Sequence, residues 1–209
     1  VVHRGMSRKD ARAKAVELMD RVRIPAAKER VKQYPHQLSG GMRQRIMIAM
    51  ALALEPALII ADEPTTALDV TVQAQILDLL AELQREYAMA LILITHDLGV
   101  VAEVADRIAV MYAGRIVEQA DVFSLFRNPG HPYTEALLQS LPRMDLKGQE
   151  LTAIKGLPPS LANIPSGCPF HPRCPRAVDR CKQEVPEYHR LPGGRFSACH
   201  FAEELVSNG

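Results

Sequence analysis

From Ser7 onward the apolar residues Ala11, Ala15, Leu18, Met19 and Val22 recur at the spacing of one helix face. Ser7 with Asp10 resembles a capping box with Asp in place of Glu, and Pro25 ends this first predicted helix. Pro35 holds Tyr34 extended, so PHQLSGG reads as a loop entering the next element. Ser39 then caps a helix predicted from about Gly41 to Leu54, built from strong helix formers and closed by Pro56. Two short continuous apolar runs follow, ALIIA at 57–61 and ALILIT at 90–95. They read as strands buried on both faces of a parallel sheet. Between them Asp69 caps a helix whose inner face is Val72, Ile76, Leu79, Leu80 and Leu83. GVVAEVA predicts a short helix, RIAVMYAGRIVEQ two strands about an Ala113-Gly114 turn, and 133–141 a further helix. The alternation implies an α/β fold.

The character of the chain changes near Pro142. Beyond it come many prolines, all four cysteines and few apolar runs, which places a boundary near 142–150: one domain at 1–141 and a small loop-rich tail at 142–209. Such a tail has little core of its own and needs a staple. Formal net charge is +1, so no basic field points to nucleic acid. Aromatic residues are 5% and tryptophan is absent, which disfavours a base-stacking surface. No apolar run approaches the roughly 20 residues of a bilayer-spanning helix. VVHRGMSRKD has charges and no apolar h-region, so no signal peptide is expected and the chain reads as cytosolic, its cysteines outside disulfides.

Chemistry gathers where the predicted strands end, which is where ligands sit in open α/β sheets. Asp62-Glu63 follows the first strand, His96 follows the second, and Asp69 lies in the turn TTALD. A carboxylate at a strand end can hold Mg²⁺ through water. A second beside it can polarise an attacking water. A histidine at the next strand end can contact a γ-phosphate. Each feature alone has a plain structural alternative, since a lone histidine after a strand is mostly structural and SGG is a common loop. Their order and spacing are specific.

LSGGMRQR (38–45), LIIADEP (58–64), TALD (66–69) and LITHD (93–97) together resemble the signature, Walker B, D-loop and H-loop motifs of ABC-transporter ATPases. NPGHPYTEALLQSLP (128–142), GLPPSL (156–161) and GCPFHPRCP (167–175) narrow the resemblance to ATPase subunits of dipeptide and oligopeptide importers, a layout shared by some nickel importers. The resemblance implies that Asp62 holds Mg²⁺ through water, Glu63 is the general base and His96 orients the γ-phosphate. It implies that Asp69 couples two sites across a dimer. Ser39, Gly40, Gly41 and Met42 would meet the γ-phosphate of ATP held by a partner ATPase subunit, homologous or identical. It further implies two membrane permease subunits, an extracytoplasmic solute-binding protein contacted indirectly, no nucleic acid, and a peripheral position on the cytoplasmic face of the inner or plasma membrane.

The sequence holds no GxxxxGK[ST] loop, no Q-loop and no adenine-stacking aromatic; Gln37 precedes the signature and is not the Q-loop residue. By resemblance, the chain therefore starts inside the helical subdomain of a partial ABC-type P-loop ATPase domain. It is expected to be inactive alone. The alternative function is a non-catalytic module that lends LSGGM in trans to a partner ATPase. A soluble ABC ATPase acting on DNA or ribosomes is disfavoured by the balanced charge and by the tail.

Cys168, Cys174, Cys181 and Cys199 lack the tight C-x2-C knuckle of most zinc sites and differ from the ferredoxin spacings. Four thiolates suit a [4Fe–4S] cluster or zinc, and reduced structural thiols remain the third reading. The resemblance adds that tails of this kind can carry a [4Fe–4S] cluster. His171, His189 and His200 are expected to be bystanders.

Overall fold

The structure is a computed structural model that describes residues 5–141 and 153–207. It divides into two compact units, Val1–His96 and Asp97–Gly209. The compositional boundary at 142–150 lies outside the described residues.

The first unit runs α1 (Arg8–Arg21), α2 (Ala27–Arg30), α3 (Gly40–Leu52), β1 (Leu58–Asp62), α4 (Val70–Tyr87) and β2 (Ala90–Ile94). The Ser7 hydroxyl accepts from the Asp10 amide at 3.1 Å and donates to the Asp10 carboxylate at 2.7 Å, so the cap forms in its Asp variant. α1 stops short of Pro25 because Arg23 turns to φ +61°, and Glu55 at φ +53° follows the end of α3 in the same way. β1 and β2 pair in parallel, Leu58 opposite Ala90 and Asp62 opposite Ile94. Ile59 and Ala61 of β1 and Leu91 of β2 pack with Leu52, Ile76 and Leu80 in the core.

The two strands are not buried on both faces, as their continuous apolar runs predict, but on one. Leu58, Ile60, Ile92 and Ile94 are 46%, 61%, 48% and 46% exposed. Alternate side chains of a strand point to opposite faces, and only the odd-numbered ones meet α-helices of this unit.

The second unit runs α5 (Leu98–Val104), β3 (Arg107–Tyr112), β4 (Arg115–Asp121), α6 (Val122–Arg127), α7 (Pro132–Gln139), α8 (Asp179–Gln183), β5 (His189–Leu191), β6 (Arg195–Ser197) and α9 (Ala202–Ser207). Its sheet has the order β3-β4-β6-β5 and is antiparallel throughout. Ala113 and Gly114, at φ +47° and +77°, make the predicted hairpin turn. The tail buries more than its composition announces. β6 pairs with β4, Glu118 opposite Ser197, and Phe170 is 1% exposed, its ring 5.3 Å from both Tyr112 and Tyr133. The strand pairing explains why hairpin and tail share one unit. Among the described residues no helix is long and apolar enough to cross a membrane.

Candidate functional site

Parallel pairing brings the ends of β1 and β2 out side by side. The Glu63 amide donates to the Ile94 carbonyl at 2.9 Å, which extends the ladder by one bond past β1. Glu63 then turns to φ +45°, a left-handed conformation costly for a residue with a Cβ. The turn aims its carboxylate back across the strand ends. Oε2 accepts from the Thr66 hydroxyl at 2.9 Å, and Oε1 lies 3.2 Å from His96 Nδ1. These two bonds, Thr66 first and His96 second, hold the Glu63 carboxyl below the usual range against a smaller burial effect. At neutral pH it is therefore an ionised acceptor with lone pairs to spare. Both groups are open to solvent, the His96 side chain at 80% and that of Glu63 at 48% exposure, so a ligand can reach them. Asp62 ends β1 immediately beside them, exposed on the uncovered sheet face.

The second element is the N-terminus of α3. The Ser39 hydroxyl accepts from the Met42 amide at 3.3 Å, and the Ser39 carbonyl accepts from the Arg43 amide at 2.9 Å. The Gly40 and Gly41 amides belong to the first turn, where N–H groups have no intrahelical acceptor. That turn contains no acidic side chain. It is an anion-ready terminus by backbone dipole and by charge. The Met42 side chain packs half-buried against the core of the unit.

Both glycines have helical φ, where glycine costs about 1 kcal/mol against alanine, so conformational freedom does not explain them. Space does. A Cβ on Gly40 would lie 3.4 Å from Leu68 Cδ2, an ordinary contact, whereas one on Gly41 would lie 2.8 Å from Val72 Cγ1. The signature turn thus rests on the first turn of α4. Asp69 caps that helix, its carboxylate accepting from the Val72 amide at 3.0 Å. One turn further along both helices, the buried Arg45 guanidinium donates to Gln75 Oε1 and to the Val22 carbonyl, each at 3.1 Å.

The sequence-predicted residues of the first unit therefore form two clusters. Glu63 and His96 meet directly, and Ser39 to Met42 meet the segment from Leu68 to Val72. Thr66 has no role in the sequence reading, although it stands inside TALD. Its signal is the three-residue spacing to Glu63, which a tight turn converts into a hydrogen bond.

In the second unit, Cys168, Cys174, Cys181 and Cys199 line one cavity of about 20 Å³ with Pro132 and Phe170. All four are free thiols. Burial pushes Cys168 and Cys174 up and Cys199 up to about 11, with a smaller upward push from the neighbouring thiols. Backbone amides pull the other way: Phe170 at Cys168, Arg176 at Cys174 and Phe201 at Cys199, each two residues after its cysteine. Among the described residues, no group of three or more His, Cys, Asp or Glu side chains is placed to hold a metal ion. In kind the donors suit a thiophilic metal: four thiols line one cavity, backbone amides meet three of the sulfurs, and a cation would offset the burial cost of ionising them. His171 Nδ1 faces the Cys168 carbonyl at 2.9 Å and His200 Nε2 the Glu184 carbonyl at 3.1 Å.

Two family profiles match, one described as "ABC transporter" over residues 3–66 and one as "Oligopeptide/dipeptide transporter, C-terminal region" over residues 117–181. A Brucella melitensis chain named for peptide import and ATP binding is 60% identical over 99% of this chain and 63% of its own length. The oligopeptide transport ATP-binding protein OppD of Salmonella typhimurium is 53% identical over 99% of this chain and 62% of its own length. The dipeptide transport ATP-binding protein DppD of Escherichia coli is 52% identical over 96% and 61%. The chain thus spans less than two thirds of the length of these relatives. Among solved structures, cbiO1 from Clostridium perfringens, part of the ABC transporter complex cbiONQ, matches with a TM-score of 0.51 and 33% identity over 60% of this chain and 49% of that one.

Proposed function

Because the chain belongs to the ABC-transporter ATP-binding proteins of the oligopeptide/dipeptide class, we propose that it serves as the ATP-binding subunit of an importer for di- or oligopeptides. The observation that carries this reading is the pair of clusters in the first unit: an anion-ready helix terminus at Ser39–Met42, and a carboxylate at Glu63 fixed by Thr66 and His96. In the working assembly the amides of Gly40 and Gly41 meet the γ-phosphate of ATP held by a partner ATPase subunit. At the second ATP of the pair, the one that a subunit's own phosphate cradle holds, Glu63 orients and polarises the attacking water and His96 orients the γ-phosphate. Asp62, an exposed carboxylate beside Glu63, is the residue that would hold Mg²⁺, which neutralises phosphate charge when bound. Asp69 sits at the subunit boundary. Closure and reopening of the ATPase pair drive two permease subunits, with the chain docked on the cytoplasmic face of the membrane and a solute-binding protein acting from the far side.

The sequence contains no GxxxxGK[ST] loop, and the signature turn works on a phosphate that a partner subunit presents. Titration with Mg-ATP in a calorimeter tests it. The expected result is no saturable binding by the chain alone, with tighter ATP binding by full-length Escherichia coli DppD when the chain is added. Turnover by the pure chain should stay at background and be unmoved by Glu63→Gln. Saturable binding by the chain alone, or no effect on the partner, overturns the reading.

The four thiols of the second unit complete the proposal. They serve as ligands of a metal centre that staples the tail, a [4Fe–4S] cluster first and a single zinc second. Four soft donors lining one cavity, three of them met by backbone amides, support it. Protein purified without oxygen is expected to carry roughly four iron and four acid-labile sulfide per chain. About one zinc per chain identifies the alternative. Neither metal removes the centre.

A further inference from the structure

The two glycines of the signature turn do different jobs. α3 and α4 run in the same direction where they touch: Gly41 meets Val72, and one turn later Arg45 meets Gln75. Gly41 marks the close approach of this helix pair, and a Cβ there would stand 2.8 Å from Val72 Cγ1, closer than packed carbons come. Gly40 has no such constraint, since a Cβ would rest at 3.4 Å against the flexible end of Leu68. Upstream of Val72 the chain is short and tied down. Asp69 caps the Val72 amide, the Leu68 amide donates to Thr65 at 3.2 Å, and Thr66 holds Glu63.

We propose that Val72 is a positioning residue, which sets the signature turn Ser39–Met42 against the segment from Thr66 to Asp69, and that Gly41 is glycine for this contact and not for contact with an anion. The pair makes α4 a strut between the two clusters of the first unit: the helix terminus that meets a phosphate held by a partner, and the carboxylate that orients water. The inference rests on the proposed function for its consequence, and on packing alone for its existence.

A double-mutant cycle separates the two. Gly41→Ala is expected to weaken the chain's enhancement of Mg-ATP binding by Escherichia coli DppD about tenfold, a factor equal to roughly 1.4 kcal/mol. Val72→Ala alone loosens the same contact and should weaken it about threefold, and Gly41→Ala with Val72→Ala should weaken it no more than Val72→Ala alone. Gly40→Ala should weaken it without rescue by Val72→Ala. Failure of Val72→Ala to rescue Gly41→Ala overturns the inference, because the added methyl would then be meeting the anion itself. Thermal unfolding of the same four chains, without nucleotide, reads the contact independently. Gly41→Ala should lower the midpoint by about 5 °C and Val72→Ala should restore most of that loss. Additive shifts overturn the inference. If the unsubstituted chain does not affect the partner, the proposed function has failed and the unfolding cycle alone decides the contact. Should Gly41→Ala not fold, Val72→Ile enlarges the same contact from the α4 side and should weaken the enhancement more than Val72→Ala does; equal effects of the two overturn the inference.

Discussion

Gly167→Ala is expected to dismantle the cysteine cluster, with a cost to the second unit of about 3 kcal/mol. Two effects combine. Gly167 sits at φ +67°, where a Cβ costs roughly 1–2 kcal/mol. The added carbon would also stand 2.4 Å from the Cys181 carbonyl oxygen and 2.6 Å from the Lys182 carbonyl carbon. These are backbone atoms of α8, not the loose end of a side chain, and forced overpacking of this kind costs roughly 1–3 kcal/mol. Relief means pushing the 167–168 strand of chain away from α8. That breaks the bond from the Cys168 amide to the Cys181 carbonyl, 2.8 Å long, which is what brings these two cysteines together. Urea unfolding followed by tyrosine fluorescence measures the loss, and maleimide labelling of the native chain should reach all four thiols faster. Any bound iron or zinc should fall with it. Gly193→Ala is the control: its φ is +74°, but no atom lies within 4 Å of the added Cβ, so only the conformational share of the cost appears. Equal losses in the two variants would refute the packing argument.

The contrast between these glycines shows what a sequence conceals. Local signals were legible because their physics is local. Ser7, Ser39 and Asp69 all cap the helices that their positions announce, and each accepts from the amide three residues on. The order of Ser39-Gly-Gly, Asp62-Glu63, Asp69 and His96 carried the site because strand ends and helix starts converge by topology. What covers a strand face is not local. ALIIA and ALILIT read as buried on both sides, yet Leu58, Ile60, Ile92 and Ile94 face outward, since a run of apolar residues has no marker for its neighbours. The tail misled in the opposite direction. Its pairing with the hairpin rests on a strand of three residues, Arg195–Ser197, too short for any periodicity to register. Glu63 at a positive φ and Gly41 against Val72 likewise exist only in three dimensions.

The second unit is expected to lose stability as pH falls from about 6.5 toward 4, and His131 is the reason. His131 is 1% exposed at the start of α7. Its Nδ1 accepts from the Tyr133 amide at 3.0 Å, which requires the neutral ring in one tautomer. Burial lowers its pKa to about 4, against a smaller upward pull from the backbone at Ala198. A depressed folded-state pKa means that folding favours the neutral ring. The stabilisation is complete above the ordinary value of 6.5 and is lost as pH falls through that value to about 4. At pH 5 the loss is about 2 kcal/mol by linkage. Glu118 acts in the other sense. Burial raises its pKa, although the Gly130 amide at 2.6 Å and Arg195 Nη2 at 3.6 Å favour the carboxylate. Its contribution is greatest below the ordinary glutamate value of 4.5 and is lost as pH rises through its folded value, so acid relieves some of what His131 costs. His131→Asn separates the two, because the Asn oxygen can still accept from the Tyr133 amide but does not titrate. Urea unfolding at pH 7 and pH 5 should show the unsubstituted chain losing about 2 kcal/mol more than His131→Asn between the two conditions. The residual slope of the variant should be flat or reversed in sign, as Glu118 requires. If both chains weaken equally in acid, a group other than His131 carries the proton.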